Sequence, residues 1–342
     1  MIWTELDWGA LDRLRDQFLG GKACEAPYWA SPGELASYDL TFGERIGWKW
    51  DAVLDELQMV GWEPPVGTIL DWGCGSGVAG RRLADRYGSE RFQSLVVSDH
   101  SPLATDFAHD AARTRFPGLE VSMATAGYLQ GSEPIGVLVI SHVLNELPAE
   151  ALEQVRSLVR RARAVLWTEP GTRQTSRALG ALRDEWSSDF ALVAPCTHNH
   201  PCPVRAPGNE RHWCHFFAAP PPAIFADSNW VKFGQRAGID LRSLPYSFVA
   251  MDRGWKRSSG TLSRIIGRPE SFKPYVRLLN CDARGLADLT VMKRDNPSLY
   301  KELDRTKRPL VYEWVRDGEK IVGGSHPGPC ARGSSAPLPV VS

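Results

Sequence analysis

The chain has 342 residues, and its 40 Lys and Arg balance its 40 Asp and Glu, so the formal net charge is zero. This length suits two or three domains, and 43% hydrophobic with 23% charged residues indicates a globular protein and excludes a disordered one. The longest aliphatic run, Val137–Ile140, is too short to span a membrane, and the acidic N-terminus lacks a secretory signal, so we expect a cytoplasmic protein without membrane partners.

Residues 1–62 are predicted to form a helical segment. Apolar residues recur at helical spacing from Trp8 to Phe18 and again from Trp48 to Leu57. Residues 1–66 carry 12 acidic and 5 basic side chains, an excess of negative charge. The stretch Glu63-Pro-Pro-Val-Gly67 then breaks the pattern and predicts a domain boundary.

Residues 63–252 are predicted to form an α/β domain. The expected strands are Thr68–Trp72, Ser94–Ser98, Glu120–Met123, Gly136–Ser141, Ala164–Thr168 and Phe248–Met251. The expected helices lie near Val78–Tyr87, Pro102–Phe116, Ala149–Arg161 and Arg173–Ser187. This alternation is typical of a Rossmann-like, mostly parallel sheet with helices on both faces.

A glycine-rich turn, Asp71-Trp-Gly73-Cys74-Gly75-Ser-Gly77, follows the first strand and opens a helix. Alternating glycines allow a ligand to approach the backbone where a Cβ would clash. Asp99, followed by His100, ends the second strand, where a carboxylate can accept hydrogen bonds from both ribose hydroxyls of a nucleoside. We therefore predict a cofactor site composed of Asp71, Gly73, Cys74, Gly75, Gly77, Asp99 and His100.

The spacing Gly-x-Gly-x-Gly after an acid resembles the first motif of class I S-adenosylmethionine-dependent methyltransferases. This resemblance implies that Asp71 and residues 73–77 face the methionine end of the cofactor and that Asp99 faces its ribose. Two alternatives remain open: NAD binding, and a glycine turn that serves only tight packing of strand and helix.

Candidate catalytic residues follow the fourth strand, in Ser141-His142-Val-Leu-Asn145-Glu146-Leu. Catalytic groups often lie at this place in such enzymes, and we predict His142, Asn145 and Glu146 here. His142 or Glu146 could act as a general base. They could equally be a histidine at a strand end and an acid at a helix N-terminus.

The stretch from Pro195 to Pro222 has no periodicity but contains three cysteines and four histidines. Cys196, Cys202 and Cys214 lie in it, and Cys281 lies at a predicted hairpin between Val276–Asn280 and Leu286–Lys293. Four thiolates could hold Zn²⁺ or an iron–sulfur cluster, and a metal would order a loop of this kind. Cysteines buried as small hydrophobic residues are the alternative. Histidine could replace one ligand at His198, His200, His212 or His215.

The remaining cysteines, Cys24, Cys74 and Cys330, are expected to be ordinary thiols, since an odd total of seven argues against a disulfide framework. The C-terminal region is basic: residues 253–309 carry 14 basic and 6 acidic side chains. The acidic N-terminal segment and the basic C-terminal region suggest different partners for the two ends of the chain. The alternative is that both are merely charged surfaces exposed to solvent. We expect a basic extension over residues 253–321 and a disordered tail over residues 322–342.

Taken together, several segments resemble the methyltransferase-like proteins that assist assembly of the mitochondrial small ribosomal subunit, with their bacterial relatives. The resemblance covers about Tyr38 to Arg308. Its motifs are Ser141-His-Val-Leu-Asn-Glu-Leu147, Glu169-Pro-Gly-Thr172, Ala194-Pro-Cys-Thr-His198, Pro201-Cys-Pro203, Trp213-Cys-His-Phe216 and Val291-Met-Lys-Arg-Asp295.

The resemblance implies S-adenosylmethionine as cofactor, a [4Fe–4S] cluster on Cys196, Cys202, Cys214 and Cys281, and a small-subunit rRNA partner. We also expect a monomer that does not bind DNA. Basic residues of the C-terminal region would neutralise phosphates, which makes binding salt-dependent. These are Arg257, Arg264, Arg268, Lys273, Arg277, Lys293 and Arg294. Three functions stay open: an rRNA methyltransferase, a non-catalytic assembly factor, and a small-molecule methyltransferase with structural zinc.

Overall fold

The computed structural model describes residues 2–20, 29–257, 261–305 and 311–327. Cys24 and Cys330, two of the predicted ordinary thiols, lie outside these residues. Within the described ranges, none of the helices has both the length and the apolar character needed to cross a lipid bilayer.

The N-terminal segment is helical, as its periodicity predicts. Its helices are α1 (Trp8–Gly20), α2 (Pro32–Tyr38) and α3 (Glu44–Met59). Helix α2 begins where the Ser31 hydroxyl accepts a hydrogen bond from the Glu34 amide, with Pro32 in the first turn. A single π-helical turn, Asp39–Gly43, joins α2 to α3, so the two helices form one continuous cover.

The described residues 68–252 form an eight-stranded sheet with helices on both faces. The strands are β1 (Thr68–Trp72), β2 (Ser94–Ser98), β3 (Glu120–Met123), β4 (Ile135–Ser141), β5 (Ala162–Pro170), β6 (Ala191–Ala194), β7 (Phe216–Ala218) and β8 (Leu244–Asp252). The helices are α4 (Val78–Tyr87), α5 (Pro102–Arg115), α6 (Ala126–Gln130), α7 (Ala149–Arg161), α8 (Arg173–Trp186) and α9 (Ser228–Ala237).

The strand order is β3-β2-β1-β4-β5-β8-β6, with β7 also paired to β8. Every adjacent pair within β1 to β5 is parallel. Strand β8, in contrast, is antiparallel to β5, β6 and β7. Residues 135–140 of β4 are all buried because helices cover both faces of the sheet. The predicted α/β class with a mostly parallel Rossmann-like sheet is therefore confirmed. The order reverses between β1 and β4, where ligands bind in sheets of this kind.

The acidic N-terminal segment packs on helix α4, and this contact pairs four of its acidic side chains with arginines. Arg81 pairs with Asp39 at 2.5 Å, and Arg82 pairs with Glu44 at 2.6 Å. Further pairs join Arg82 to Asp51 and Arg86 to Asp55. These acidic side chains thus face arginines of the same chain, so the expectation of a separate partner for the acidic end is not supported here.

The basic extension is a barrel. Its five strands are β9 (Leu262–Ser271), β10 (Tyr275–Asp282), β11 (Gly285–Met292), β12 (Val311–Asp317) and β13 (Lys320–Ser325), and helix α10 (Pro297–Arg305) follows β11. The predicted hairpin is the antiparallel pair β10–β11. The barrel closes in the order β10-β11-β13-β12-β9.

The prediction of a disordered tail from residue 322 was wrong at its start. Residues 322–325 belong to β13, which pairs with β12 and, in parallel, with β11. The glycines in this segment have low strand propensity, but Gly323 and Gly324 pair with Val315 and Trp314 of β12, which holds them in the barrel. Residues 328–342 lie outside the described part of the chain.

A buried ion pair joins the barrel to the rest of the chain. Arg264 on β9 donates to the Glu56 carboxylate on α3, with one nitrogen–oxygen distance of 3.1 Å. Its Nε donates to the backbone oxygen of Pro195 at 3.0 Å. The two side chains are only 4% and 2% exposed, so neither charge has access to water.

We predict that Glu56→Gln lowers the free energy of unfolding by about 3–5 kcal/mol, because it leaves the Arg264 charge buried without its counter-charge. Chemical denaturation measures this change. The matched control is Glu270→Gln, which breaks the exposed pair with Arg277 and should change stability by less than about 1 kcal/mol. Equal effects of the two substitutions would contradict a structural role for the buried pair.

Candidate functional site

The glycine turn lies at the reversal of the sheet, directly after β1. Gly73 has a φ of +67°, and a Cβ at this position would lie 2.7 Å from Cγ1 of Val143. Gly75 has a φ of +52°, but a Cβ there would meet no atom within 4 Å. Gly73 is therefore needed for packing, whereas Gly75 borders open space in which a ligand could contact the backbone. The buried Cys74 lies between them and donates its amide to the Ser98 oxygen at 3.0 Å.

Asp99 connects this turn to the end of β2. Its Oδ2 accepts from the Gly75 amide and its Oδ1 from the Ser101 amide, each at 2.9 Å. The Nδ1 atom of His100 lies 3.1 Å from Oδ1, and this contact raises the pKa of His100 above its usual value. A carboxylate has about four acceptor positions, and three of those of Asp99 are taken by Gly75, Ser101 and His100, so about one is left for a ribose hydroxyl.

Asp71 lies below the turn. It is 1% exposed, and its Oδ2 accepts from the Gly80 amide in the first turn of α4 at 2.9 Å. Its Oδ1 is buried without a hydrogen-bond partner. Burial raises the pKa of Asp71 to about 7. The structure thus places Asp71 under the glycine turn, as a support for it, and not on the open side with Gly75.

His142 follows β4 with a φ of +58°, a backbone conformation that strains a residue with a Cβ. Its Nε2 lies 3.0 Å from Nζ of Lys49, and its Nδ1 lies 3.1 Å from Oγ of Ser141. Burial and the nearby cations Lys49 and Arg45 lower its pKa well below the usual value. The neutral ring is therefore held at both nitrogens, and a role as general base would require Lys49 to move away from it.

Glu169, at the end of β5, holds the segment after His142 in place. Its Oε1 accepts from the amides of Val143 and Leu144, each at 3.1 Å, and from Nε1 of Trp167 at 2.5 Å. Burial raises its pKa to about 7. The sequence signal was an acid at the end of a buried strand, within the Glu-Pro-Gly-Thr motif, but we did not predict it as a site residue.

Glu146 lies on the same side as Asp99 and His100, whose charges act on it. Burial raises the pKa of Glu146 to about 7, with a smaller contribution from Asp99, while His100 opposes the shift. Asn145 beside it is exposed. Of the three predicted catalytic residues, Glu146 has the properties of a proton acceptor near neutral pH.

Helix α3 adds two cations that the sequence analysis missed. Arg45 and Lys49 are four residues apart and therefore lie on one face of the helix. Burial lowers the pKa of Lys49 to about 7 and that of Arg45 to about 10. The Nε atom of Arg45 is buried without a hydrogen-bond partner. The sequence feature that could have pointed to them is that they are two of only five basic residues in the acidic segment 1–66.

The four predicted cysteine ligands converge between the sheet domain and the barrel. All four are free thiols. Burial raises the pKa of Cys214 well above its usual value, and the neighbouring Cys196, Cys202 and Cys281 raise it further. Still, in the described residues no three Cys, His, Asp or Glu side chains stand close enough together to hold a metal ion as they are.

Three buried polar atoms near these thiols have no hydrogen-bond partner among the described residues. They are Nε of Arg183, Oγ1 of Thr197 and Nδ1 of His198. Arg183 is 2% exposed, donates to the His198 oxygen at 2.9 Å and also contacts Cys196. The buried guanidinium of Arg183 beside Cys196 would offset the negative charge of a thiolate at that position.

The structure corrects part of the predicted RNA-facing set. Arg264 is buried in its pair with Glu56, and Arg257 donates to the backbone oxygens of Leu192, Val193 and Cys196. Both arginines therefore serve the interior of the protein. The other members of the set are exposed, namely Arg268, Lys273, Arg277, Lys293 and Arg294.

A sequence model of the family described as "Mitochondrial small ribosomal subunit Rsm22" matches residues 51–308 of the chain. No curated protein sequence matches this chain.

Similar solved structures include N-methyltransferase NodS from Bradyrhizobium japonicum in complex with S-adenosyl-L-homocysteine, at 14% identity over 64% of this chain and 91% of that one, with a TM-score of 0.38. Magnesium protoporphyrin IX methyltransferase from Synechocystis is also 14% identical, over 72% of this chain and 100% of that one, with a TM-score of 0.38. An rRNA methylase from Streptococcus thermophilus is 10% identical, over 58% of this chain and 93% of that one, with a TM-score of 0.34.

We predict that Glu169→Gln flattens the dependence of stability on pH. Because the pKa of Glu169 is raised from 4.5 to about 7, its contribution to stability is complete below pH 4.5 and is lost as the pH rises through 7. Glutamine keeps the accepting oxygen but does not titrate. The variant should gain stability relative to the native chain across this window, by at most about 1.4 kcal/mol per pH unit.

Denaturation curves at a series of pH values measure this difference. Glu120→Gln, at an exposed position on β3, is the matched control and should follow the native profile. A constant difference between Glu169→Gln and the native chain at all pH values would show that Glu169 does not titrate in this range.

Proposed function

The chain belongs to the Rsm22 family of the mitochondrial small ribosomal subunit, and we propose that it is a monomeric protein that binds S-adenosylmethionine and methylates small-subunit rRNA. The observation that carries this proposal is the group of Gly75, Asp99 and Glu146 at the reversal of the sheet. It combines an open backbone, a carboxylate with an acceptor position left for a ribose hydroxyl, and a proton acceptor with a pKa of about 7.

The cofactor would be held from two sides. Asp99 is suited to a ribose hydroxyl, and the open turn at Gly75 allows close contact with the backbone. Arg45 and Lys49 are suited to the carboxylate at the methionine end, because both are cations removed from water and Nε of Arg45 lacks a partner. When bound, S-adenosylmethionine supplies an electrophilic methyl group.

The chain itself would supply proton transfer and positioning. Glu146 accepts a proton from the target nucleotide, since its pKa of about 7 leaves much of it ionised at neutral pH. Glu169 fixes the backbone before Glu146 through the amides of Val143 and Leu144. Neutral His142 keeps Lys49 in place through the contact at Nε2.

The four cysteines are proposed to hold a [4Fe–4S] cluster, with zinc as the alternative occupant. Cys196, Cys202 and Cys214 come from the loop after β6, and Cys281 comes from the barrel. Such a group would fasten the loop to the barrel, because ligands from both parts would share one centre. Arg183 would offset part of its negative charge.

A second candidate function is a non-catalytic assembly factor whose cofactor only stabilises the fold. The observation that favours it is the engagement of both ring nitrogens of His142 by Ser141 and Lys49, which removes one of the two predicted general bases and leaves only Glu146. In that case the chain would bind both cofactor and rRNA, but it would transfer no methyl group.

We predict that the native chain binds S-adenosylhomocysteine in calorimetry and that Asp99→Asn weakens binding by about 10- to 100-fold, through the loss of a charge-assisted acceptor. Lys49→Met should weaken binding of S-adenosylhomocysteine but not of 5′-methylthioadenosine, which lacks the carboxylate. Asp106→Asn, on α5, is a matched control outside the site. Absence of binding by the native chain would contradict the proposal.

Incubation with methyl-labelled cofactor and immature small subunits then separates the two candidates. Label in the rRNA that disappears with Glu146→Gln supports the methyltransferase. Cofactor binding without any label in the rRNA supports the assembly factor, and label in a small molecule without RNA would contradict both.

For the cysteines, we predict that anaerobically purified protein contains iron and absorbs broadly in the visible range. Cys202→Ser should lose both the metal and the absorption, because one of the four ligands is removed. Cys74→Ser is the matched control, since the buried Cys74 lies in the glycine turn and not among the four thiols. A colourless protein with stoichiometric zinc would rule out the iron–sulfur cluster.

A further inference from the structure

The C-terminal barrel has an architecture with a recurrent binding face. Its strands close in the order β9-β10-β11-β13-β12, with β11 parallel to β13. A five-stranded Greek-key barrel of this kind is the OB-fold arrangement, in which the second and third strands and the loops between strands 1–2 and 4–5 bind oligonucleotides. Here these parts are β10, β11 and the turns at residues 272–274 and 318–319.

The outer face of β10 and β11 is divided into a covered and an open half. Residues alternate along β10, so that Val276 and Leu278 are buried inside the barrel while Arg277 is exposed. The half near Cys281 is covered by the cysteine-rich loop, whose Arg211 lies 3.8 Å from Asp288 on β11. The half that begins at Tyr275 has no such cover among the described residues.

This open half carries two stacked aromatic rings, Phe272 and Tyr275, which we call the stacking platform. Their centroids are 4.7 Å apart at an interplanar angle of 26°, and Phe272 is 39% exposed. The Tyr300 hydroxyl donates to the Phe272 backbone oxygen at 2.9 Å, and the Lys293 amide donates to the Pro274 oxygen at 2.9 Å. These bonds fix the turn, so the rings are presented in one arrangement.

The charge around the platform is positive. Arg277 pairs with Glu270, and its guanidinium lies 5.6 Å from the Phe272 ring centroid. Arg294 pairs with Asp295. Lys273 and Lys293, in contrast, have no ion-pair partner among the described residues, and both are exposed. Nζ of Lys293 lies 5.1 Å from the Tyr300 ring centroid. The platform is thus flanked by two exposed cations that no carboxylate of the described residues neutralises.

We propose that the stacking platform binds single-stranded RNA, with a base stacked on Phe272 and the phosphates facing Lys273 and Lys293. The inference rests on the proposed rRNA-binding function and adds to it the surface and the form of the RNA. Unpaired bases are required because the base faces of a duplex are already stacked on each other. Base–aromatic stacking together with a positive groove is the usual mode of sequence-tolerant binding.

The test is fluorescence anisotropy of the full chain with a labelled, mixed-sequence oligoribonucleotide of about 12 nucleotides, as a single strand and as a duplex. Phe272→Ala should weaken single-strand binding by about 5- to 150-fold, and Phe272→Trp should restore it because the aromatic face returns. Phe225→Ala is the matched control, since Phe225 is 51% exposed on a 3₁₀ turn outside the barrel.

Native-like binding by both Phe272→Ala and Tyr275→Ala would overturn the platform, and so would equal affinity for single strand and duplex. A native chain that binds neither the oligonucleotide nor small-subunit rRNA would overturn the platform together with rRNA binding. If the native chain binds rRNA and both Phe272→Ala and Tyr275→Ala bind it with unchanged affinity, the platform alone is overturned, which keeps the two failures distinct.

Discussion

The arrangement of the whole molecule depends on one buried guanidinium. Arg264 lies on the first strand of the barrel, yet it donates to Glu56 on helix α3 and to the backbone of Pro195, just before the first cysteine of the loop. A charge removed from water is tolerated only where its counter-charge and hydrogen bonds are in place. The N-terminal helices, the cysteine-rich loop and the barrel must therefore come together at one point. Cys196 and Cys281 can lie near each other because this contact brings the loop and the barrel together.

The same constraint shapes the site at the reversal of the sheet. Helix α3, which carries Glu56 on one face, presents Arg45 and Lys49 towards the ends of β4 and β5. Burial raises the pKa of both Glu146 and Glu169 at this site to about 7. Carboxyl groups with such values exchange protons near neutral pH, which ordinary carboxylates do not. Stability and chemistry are thus linked, because burial produces both effects.

The chain is neutral overall, but its charged residues have two different roles: some pair inside the protein and others are exposed. Four acidic residues of the N-terminal segment, Asp39, Glu44, Asp51 and Asp55, pair with arginines of α4, so they hold this segment on the sheet domain. Two of the basic residues in the C-terminal region, Arg257 and Arg264, likewise act inside the protein. What remains for a partner is a smaller set of exposed cations beside the aromatic rings of Phe272 and Tyr275. The net charge of a segment therefore overstates the surface that it offers to RNA.

The amino-acid sequence by itself determined the elements whose signals are local. Apolar runs predicted β1, β2 and β3 at their observed bounds, and the alternating glycines located the turn, because the steric demands of a tight turn act on neighbouring residues. Only the tertiary structure decided which charges are buried, as Glu56 and Arg264 are 208 residues apart in the chain. It likewise showed that His142 is held by Lys49, and that β12 and β13 complete a barrel. Such contacts depend on how distant segments pack, and packing leaves no periodic signal in either segment alone.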